Sequence, residues 1–446
     1  MVVISCASGI LILLLVFGAI GTRRAFALPS FAVQTSQPCA TCHIGAFGPQ
    51  LTPQGRDFKL HGYVANDGQD HGLPLALTMQ ASFTHTAAPQ PGGAAPGFKP
   101  NDNIALDFAA VYYAGKITSD IGGFIKLQYL GEKQQTQVGR SDLRFARESE
   151  LFGQNLLWGI TANNSPTVQD PWNSTPVWGY PYTRSFLAAA PSAAPLINGA
   201  LSQRVAGAGV YTLWNDMVYL EADAYKGLDN DTLRAVGQVP VDGSDSTTNF
   251  LPYARVAVVR DWQNHHAEIG AFALSADVVP GRNQTFGLDA RKTDVALDAT
   301  YQYISNPAKV TSDRLSAHAT YIHENEATES SLAQILTGQL LNHALDTTRF
   351  DMSYSFAATV TPSVQYFRTT GTADARYWAT PNGSPNSDGM IVEVAYVPWG
   401  KPDSPFPNIN VRLIAQYVSY FSFNGTGTDA STHNTFFFGF QTAAKF

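Results

Sequence analysis

Hydrophobic and polar residues alternate along most of this chain. In Asp294-Val295-Ala296-Leu297-Asp298-Ala299-Thr300-Tyr301-Gln302-Tyr303 the odd positions are apolar or aromatic and the even ones mostly polar. Ile409-Asn410-Val411-Arg412-Leu413-Ile414-Ala415-Gln416-Tyr417 repeats the pattern. So does Val218, Leu220, Ala222 and Ala224 set against Tyr219, Glu221, Asp223 and Tyr225. Successive side chains of a strand point to opposite faces, so each segment has one greasy and one wet face. Such segments predict strands at 75–86, 103–116, 121–130, 142–148, 155–161, 203–213, 217–226, 251–260, 266–276, 292–304, 312–323, 348–358, 362–371, 390–397, 409–422 and 433–446, sixteen in all.

The connections alternate long and short. Residues 87–102, 226–249 and 324–347 are long, whereas 117–120, 261–265 and 359–361 are short. Transmembrane barrels show this asymmetry, with short periplasmic turns and long outer loops. A secreted β-sandwich also alternates with frequent turns, but it does not readily explain sixteen segments or the regular loop pattern. The expected fold is all-β: a 16-stranded antiparallel transmembrane β-barrel over residues 73–446, set in the lipid of a bacterial outer membrane. Closure leaves no unpaired edge, so such a chain crosses without a helix. By parity, Asp107, Lys126, Glu221, Asp223, Asp294, Asp298, His318, Asp351, Glu393 and Arg412 face the lumen. Each is expected to be solvated, in an interior whose net acidity favours cations.

Composition agrees with this picture. Only 14% of the residues are charged, against about 25% in ordinary soluble domains, and 12% are aromatic. The net charge of −7 offers no footprint for a polyanion and excludes nucleic acid as an expected partner. Residues 2–20 carry no charge and are followed by Ala25-Phe26-Ala27, an A-x-A cleavage pattern that predicts a signal peptide over 1–27. Arg23 and Arg24 follow the apolar run instead of preceding it, which leaves open a mis-assigned start or a retained anchor helix. Export is implied in each case.

Cys39-Ala40-Thr41-Cys42-His43 follows in the exported chain. C-x-x-C-H lets two thiols add to the vinyl groups of one haem while the adjacent histidine ligates its iron. The pattern therefore predicts one covalently attached c-type haem, with Cys39 and Cys42 as thioether links and His43 as the proximal ligand. A redox dithiol does not require the histidine, and a zinc site needs two further ligands although no second C-x-x-C exists. His61, close in sequence and outside any predicted strand, is the candidate distal ligand, with an ordinary loop histidine as the alternative. By parity Met79 points outward and Met217 inward. The haem-binding segment, residues 28–72, is too short to bury a porphyrin alone, since domains below roughly 40–60 residues have marginal cores. It is expected to plug the lumen from the periplasmic side.

The chain resembles the fused monohaem cytochrome-porins of the bacterial outer membrane, whose best-known members are iron oxidases of Fe(II)-oxidising bacteria. The likeness rests on the Cys39–His43 motif, on the run Leu51-Thr52-Pro53-Gln54-Gly55-Arg56-Asp57-Phe58-Lys59-Leu60-His61-Gly62-Tyr63 and on the string Asn163-Asn164-Ser165-Pro166-Thr167-Val168-Gln169-Asp170-Pro171-Trp172-Asn173. It implies iron:cytochrome c oxidoreductase-like electron transfer: an extracellular donor, with Fe(II) favoured, reduces the haem, and a periplasmic cytochrome accepts the electron. A conduit for a different donor, or a haem-plugged solute porin, is the alternative.

Overall fold

The computed structural model describes residues 29–238, 243–281, 290–328, 338, 342–378, 380–406 and 408–445. The expected signal peptide therefore lies outside the described residues. The strands are β1 (Leu75–Thr86), β2 (Asn103–Lys116), β3 (Ile121–Leu130), β4 (Gln135–Val138), β5 (Asp142–Leu151), β6 (Gln154–Asn163), β7 (Val205–Trp214), β8 (Val218–Gly227) and β9 (Gly243–Thr247). They continue with β10 (Phe250–Trp262), β11 (His265–Gly281), β12 (Ala290–Ile304), β13 (Arg314–Thr328), β14 (Asn342–Ser355), β15 (Val360–Gly371), β16 (Ser387–Tyr396), β17 (Ile409–Ser422) and β18 (Thr435–Lys445).

Among the described residues, sixteen of these strands close a single antiparallel ring, because β1 pairs with both β2 and β18. The short β4 and β9 are additions to it. β4 extends the pairing on β3, and β9 pairs with the end of β11 while β8 passes directly to β10. The alternation predicted these two poorly because each is only a few residues long.

Side chains sort by parity as the sequence predicts. On β12, Asp294, Ala296, Asp298, Thr300 and Gln302 are buried while Val295 and Leu297 are exposed. Neighbouring strands continue the outer face with Ile269, Val258, Tyr321 and Phe350. A soluble sheet hides its apolar face; this one presents it outward all round a closed ladder. That arrangement suits hydrocarbon, where every backbone group must be paired internally. The barrel is an outer-membrane barrel, crossing with strands; among the described residues no helix is long and apolar enough to cross.

The lumen is filled by the chain itself. From the short-connection end, which faces the periplasm in such barrels, residues 29–67 enter with three helices: α1 (Pro29–Thr35), α2 (Cys39–Cys42) and α3 (Pro53–Leu60). Gln50 bonds Ser353 on β14, Arg56 donates to Gln302 on β12 at 2.6 Å, and Tyr211 on β7 donates to Leu60 O at 2.7 Å. The connection 164–204 also folds inward. Gln169 donates to Asp223, Leu196 N to Glu324, Ile197 N to Asp294 and Thr183 to Gln80. The two fillings meet where Asn173 donates to Pro49 O at 3.0 Å and Lys59 Nζ donates to Val168 O and Asp170 O at 2.7 and 2.8 Å.

The lumen-facing acids are consequently not solvated, as parity alone suggested. Asp298 and Glu268 hold Arg255, Glu393 holds Arg412, and Asp351 holds His318. Asp142 and Arg144 on β5 form a fully buried pair at 2.9 Å. Arg144 also donates to Lys59 O and Gln169 O, and Asp142 accepts from Tyr63 and Thr161, so one pair ties wall, helix and inward connection together. Tyr253 and Phe272 pack with Leu196, Ile197 and Leu201 in an apolar patch inside the lumen, where the sequence alone suggested a wet wall.

Two outcomes follow from this arrangement. Leu297→Arg, on the outer face, is expected to destabilise insertion into liposomes by roughly 2–4 kcal/mol if it lies near the bilayer midplane, as read by urea titration of tryptophan fluorescence. Arg144→Leu leaves Asp142 buried and uncompensated and is expected to cost about 3–5 kcal/mol; unchanged urea resistance would contradict the clamp.

Candidate functional site

The C-x-x-C-H motif forms a single helical turn followed by a reversal. α2 closes with His43 N donating to Cys39 O at 2.9 Å, and Ile44 N then donates to Gln50 O at 2.9 Å as the chain folds back. Thr52 caps α3 by accepting from Gly55 N, and its own hydroxyl donates to Thr41 O at 2.6 Å. α3 thus stacks directly on the motif. Gly55 makes the approach possible, since a Cβ there would lie 2.2 Å from Cys42 O.

The barrel grips this unit from its short-connection end. Two connections there, 305–313 and 397–408, are longer than the other turns at this end, such as 117–120, and both touch the motif. Gly400 O accepts from Ala40 N at 3.1 Å. Arg314, at the start of β13, donates to Ala40 O at 2.7 Å and His43 O at 2.9 Å while reaching back to Val310 O. Asn410 on β17 donates to Cys39 Sγ at 3.3 Å and Ala46 O at 2.7 Å. Cys39, Ala40 and Ala46 pack against Ala358 and Val397 from the same end.

Cys39 and Cys42 are free thiols. Burial pushes the Cys42 thiol up to about 11 and raises that of Cys39 further. A redox dithiol needs a lowered thiol pKa, so this environment disfavours that alternative. Among the described residues no group of three or more His, Cys, Asp or Glu side chains is placed to hold a bare metal ion. His43 is buried, which drives its pKa down to about 4 against the opposing pull of the Gly48 backbone, so the ring is neutral at neutral pH. Its Nδ1 is buried without a hydrogen-bond partner.

Cys42 and His43 line a cavity of about 300 Å³ between the plug and the wall. Its walls are largely apolar and aromatic: Phe31, Phe47, Leu51, Phe58, Tyr63, Phe108, Tyr112, Phe124 and Trp178. A neutral imidazole and the Cys42 thiol on the wall of a largely apolar and aromatic cavity, with Cys39 directly behind them, suit a large flat apolar group attached through the motif.

The structure brings Cys39, Cys42 and His43 together and leaves His61 apart. His61 caps the C-terminus of α3, with Nδ1 2.9 Å from Asp57 O and Nε2 3.1 Å from Glu148, and it does not line the cavity. Met79, set aside by parity, contributes to the cavity lining. Met217 falls in the turn before β8 and is exposed, not inward. Sequence reasoning missed Arg314 and Asn410 as supports of the motif; the inward parity of Asn410 on β17 was the available signal.

No family model matches the sequence, and no curated protein matches it. Solved structures with some likeness include OmpF of Salmonella typhi in complex with daunomycin (11% identity, 83% of this chain and 96% of that one, TM-score 0.45). The anion-selective porin of Comamonas acidovorans (10% identity, 84% and 99%, TM-score 0.44) and the outer membrane channel DcaP of Acinetobacter baumannii (10%, 83% and 96%, TM-score 0.44) are similar to the same degree.

His61 gives a pH test of how the plug is held. Its hydrogen bonds and ion pairing, first with Asp57 and then Glu148, raise its pKa to about 9. A raised histidine contributes stabilisation that is fully present below its unfolded pKa of about 6.5 and lost as pH rises through the folded value. Protection factors at the end of α3, with the base-catalysed intrinsic exchange rate divided out, are expected to fall between pH 6.5 and 9 in the native chain and to stay level over that range in His61→Gln. Titration of the ring near 6.5 would contradict the pairing.

Proposed function

We propose that this chain is an outer-membrane monohaem cytochrome-porin that takes electrons from an extracellular reductant, with Fe(II) favoured, and passes them to a periplasmic electron carrier. The observation that carries this reading is the position of the Cys39–His43 motif: inside the lumen, at the short-connection end, on the wall of an apolar cavity. Cys39 and Cys42 would hold the porphyrin as thioethers and His43 would ligate its iron. When bound, the haem supplies a one-electron couple whose potential depends on axial ligand and burial.

The chain's own residues do the rest. Arg314 and Asn410 fix the motif backbone from the wall, so the attachment point does not shift relative to the barrel end. Phe31, Phe58, Tyr63 and Trp178 exclude water from the cavity. The inward connection 164–204 and the plug fill the lumen, which favours electron passage over solute flow. At the short-connection end the motif lies beside connections 305–313 and 397–408, within the reach of a soluble carrier. Fe(II) as donor rests on the family resemblance; one-electron transfer requires its approach alone, and outer-loop carboxylates are suitable hard ligands for transient binding.

Cys39→Ala and His43→Ala are expected to abolish thioether-linked haem, read by pyridine haemochrome spectra, while the barrel still inserts and migrates as a heat-resistant form. Anaerobic mixing of wild-type oxidised protein with Fe(II) is expected to give the reduced visible spectrum, and neither variant to do so. Variants that oxidise donor as before, or a wild-type barrel that passes small solutes through the lumen, would sink the conduit and favour a solute porin.

A further inference from the structure

Three cations line the cavity: Lys59, whose Nζ is held by the Val168 and Asp170 carbonyls, and Lys126 and Arg140, which have no carboxylate beside them. Lys126 lies on the inward face of β3, its Nζ 4.7 Å from the centroid of the Phe108 ring and 5.5 Å from that of Tyr112. Arg140 sits where β4 ends at Val138 and β5 begins at Asp142. Its guanidinium is 6.0 Å from the Trp178 ring, and its Nε donates to Ser202 Oγ at 3.3 Å. Breaks of this kind in a ladder re-aim side chains. Gly139 at the break lets the two approach: a Cβ there would come within 2.7 Å of Lys126 Cδ, and Gly139 N donates to Lys126 O at 2.7 Å.

Both residues line the cavity that holds Cys42 and His43. Neither makes an ion pair among the described residues, and the charge acting on Lys126 is Arg140 itself, a like charge. Burying unpaired charge is costly, and like charges together compound the cost. Elsewhere on this wall Arg144, Arg255 and Arg412 each have a carboxylate. The cavity therefore asks for an anionic group at its Lys126–Arg140 side and an apolar body beside His43. A porphyrin joined by thioethers through its vinyl edge carries two propionate carboxylates on the opposite edge.

We propose that Lys126 and Arg140 bind the propionates of the attached haem, fixing its far edge and setting its potential. The inference rests on the haem reading above. Cations beside the propionates offset the negative charge that favours ferric iron, so they hold the potential up.

The test uses the full-length barrel in detergent, comparing wild type with Lys126→Gln, Arg140→Gln, the double variant and Lys126→Arg. Pyridine haemochrome spectra establish attachment, redox titration gives the midpoint, and resonance Raman reads the propionate bending band. In the double variant the haem is expected to stay attached while the ferrous-to-ferric ratio at fixed potential falls about tenfold, equivalent to about 59 mV for a one-electron couple, and the propionate band shifts. Lys126→Arg is expected to keep the wild-type midpoint. If the double variant does not insert, each single Gln variant is expected to show part of the same fall. Attached haem with wild-type midpoint and band in the Gln variants overturns the propionate assignment and leaves the haem reading intact. Wild-type protein with no attached haem overturns both.

Discussion

A polar group turned inward from a lipid-embedded cylinder has to find a partner or stay wet, and in this chain the partners are its own. The outer face must be apolar, so strand parity forces the polar side chains into the lumen. There they meet residues 29–67 from one end and 164–204 from the other. The Asp142–Arg144 pair shows the principle in small: one wall pair with no exposure satisfies the end of α3, the inward connection and two neighbouring hydroxyls. A buried pair of this kind is weak evidence for added stability, because desolvation offsets most of its attraction. What it supplies is a specific arrangement of three segments.

The same constraint positions the motif. Residues 39–47 are too few to hold their own shape, so the wall holds it for them, through Arg314, Asn410 and the two lengthened connections. The cavity lies between plug and wall, and its aromatic lining comes partly from the plug and partly from β2, β3 and the inward connection. The site is therefore a property of the assembled molecule and belongs to no single segment.

Much of this was legible in the sequence because period-two alternation reports directly on a two-faced sheet. The strands fall close to their predicted bounds, and all ten residues assigned to the lumen by parity are inward. Alternation fails where geometry is irregular. It does not register β4 or β9, and it cannot show that Gly139-Arg140-Ser141 breaks the ladder and brings Arg140 beside Lys126. Connection length reads as turn or loop, so nothing in 305–313 or 397–408 signalled a hold on the motif. Nearness in sequence suggested His61, but the helix that carries it turns the ring toward Glu148. Pairing inside the lumen, which changes solvated acids into structural ones, depends on contacts between residues far apart in the chain.

The hold on Cys39 has a consequence for how the molecule comes into being. Its sulfur is wholly enclosed, hydrogen-bonded by a residue of the penultimate strand and covered by turns from three different hairpins. No attaching enzyme can reach such an atom from outside. Anything joined to it must be joined before residues 29–67 seat against the wall, which makes maturation a matter of order in time as well as of chemistry.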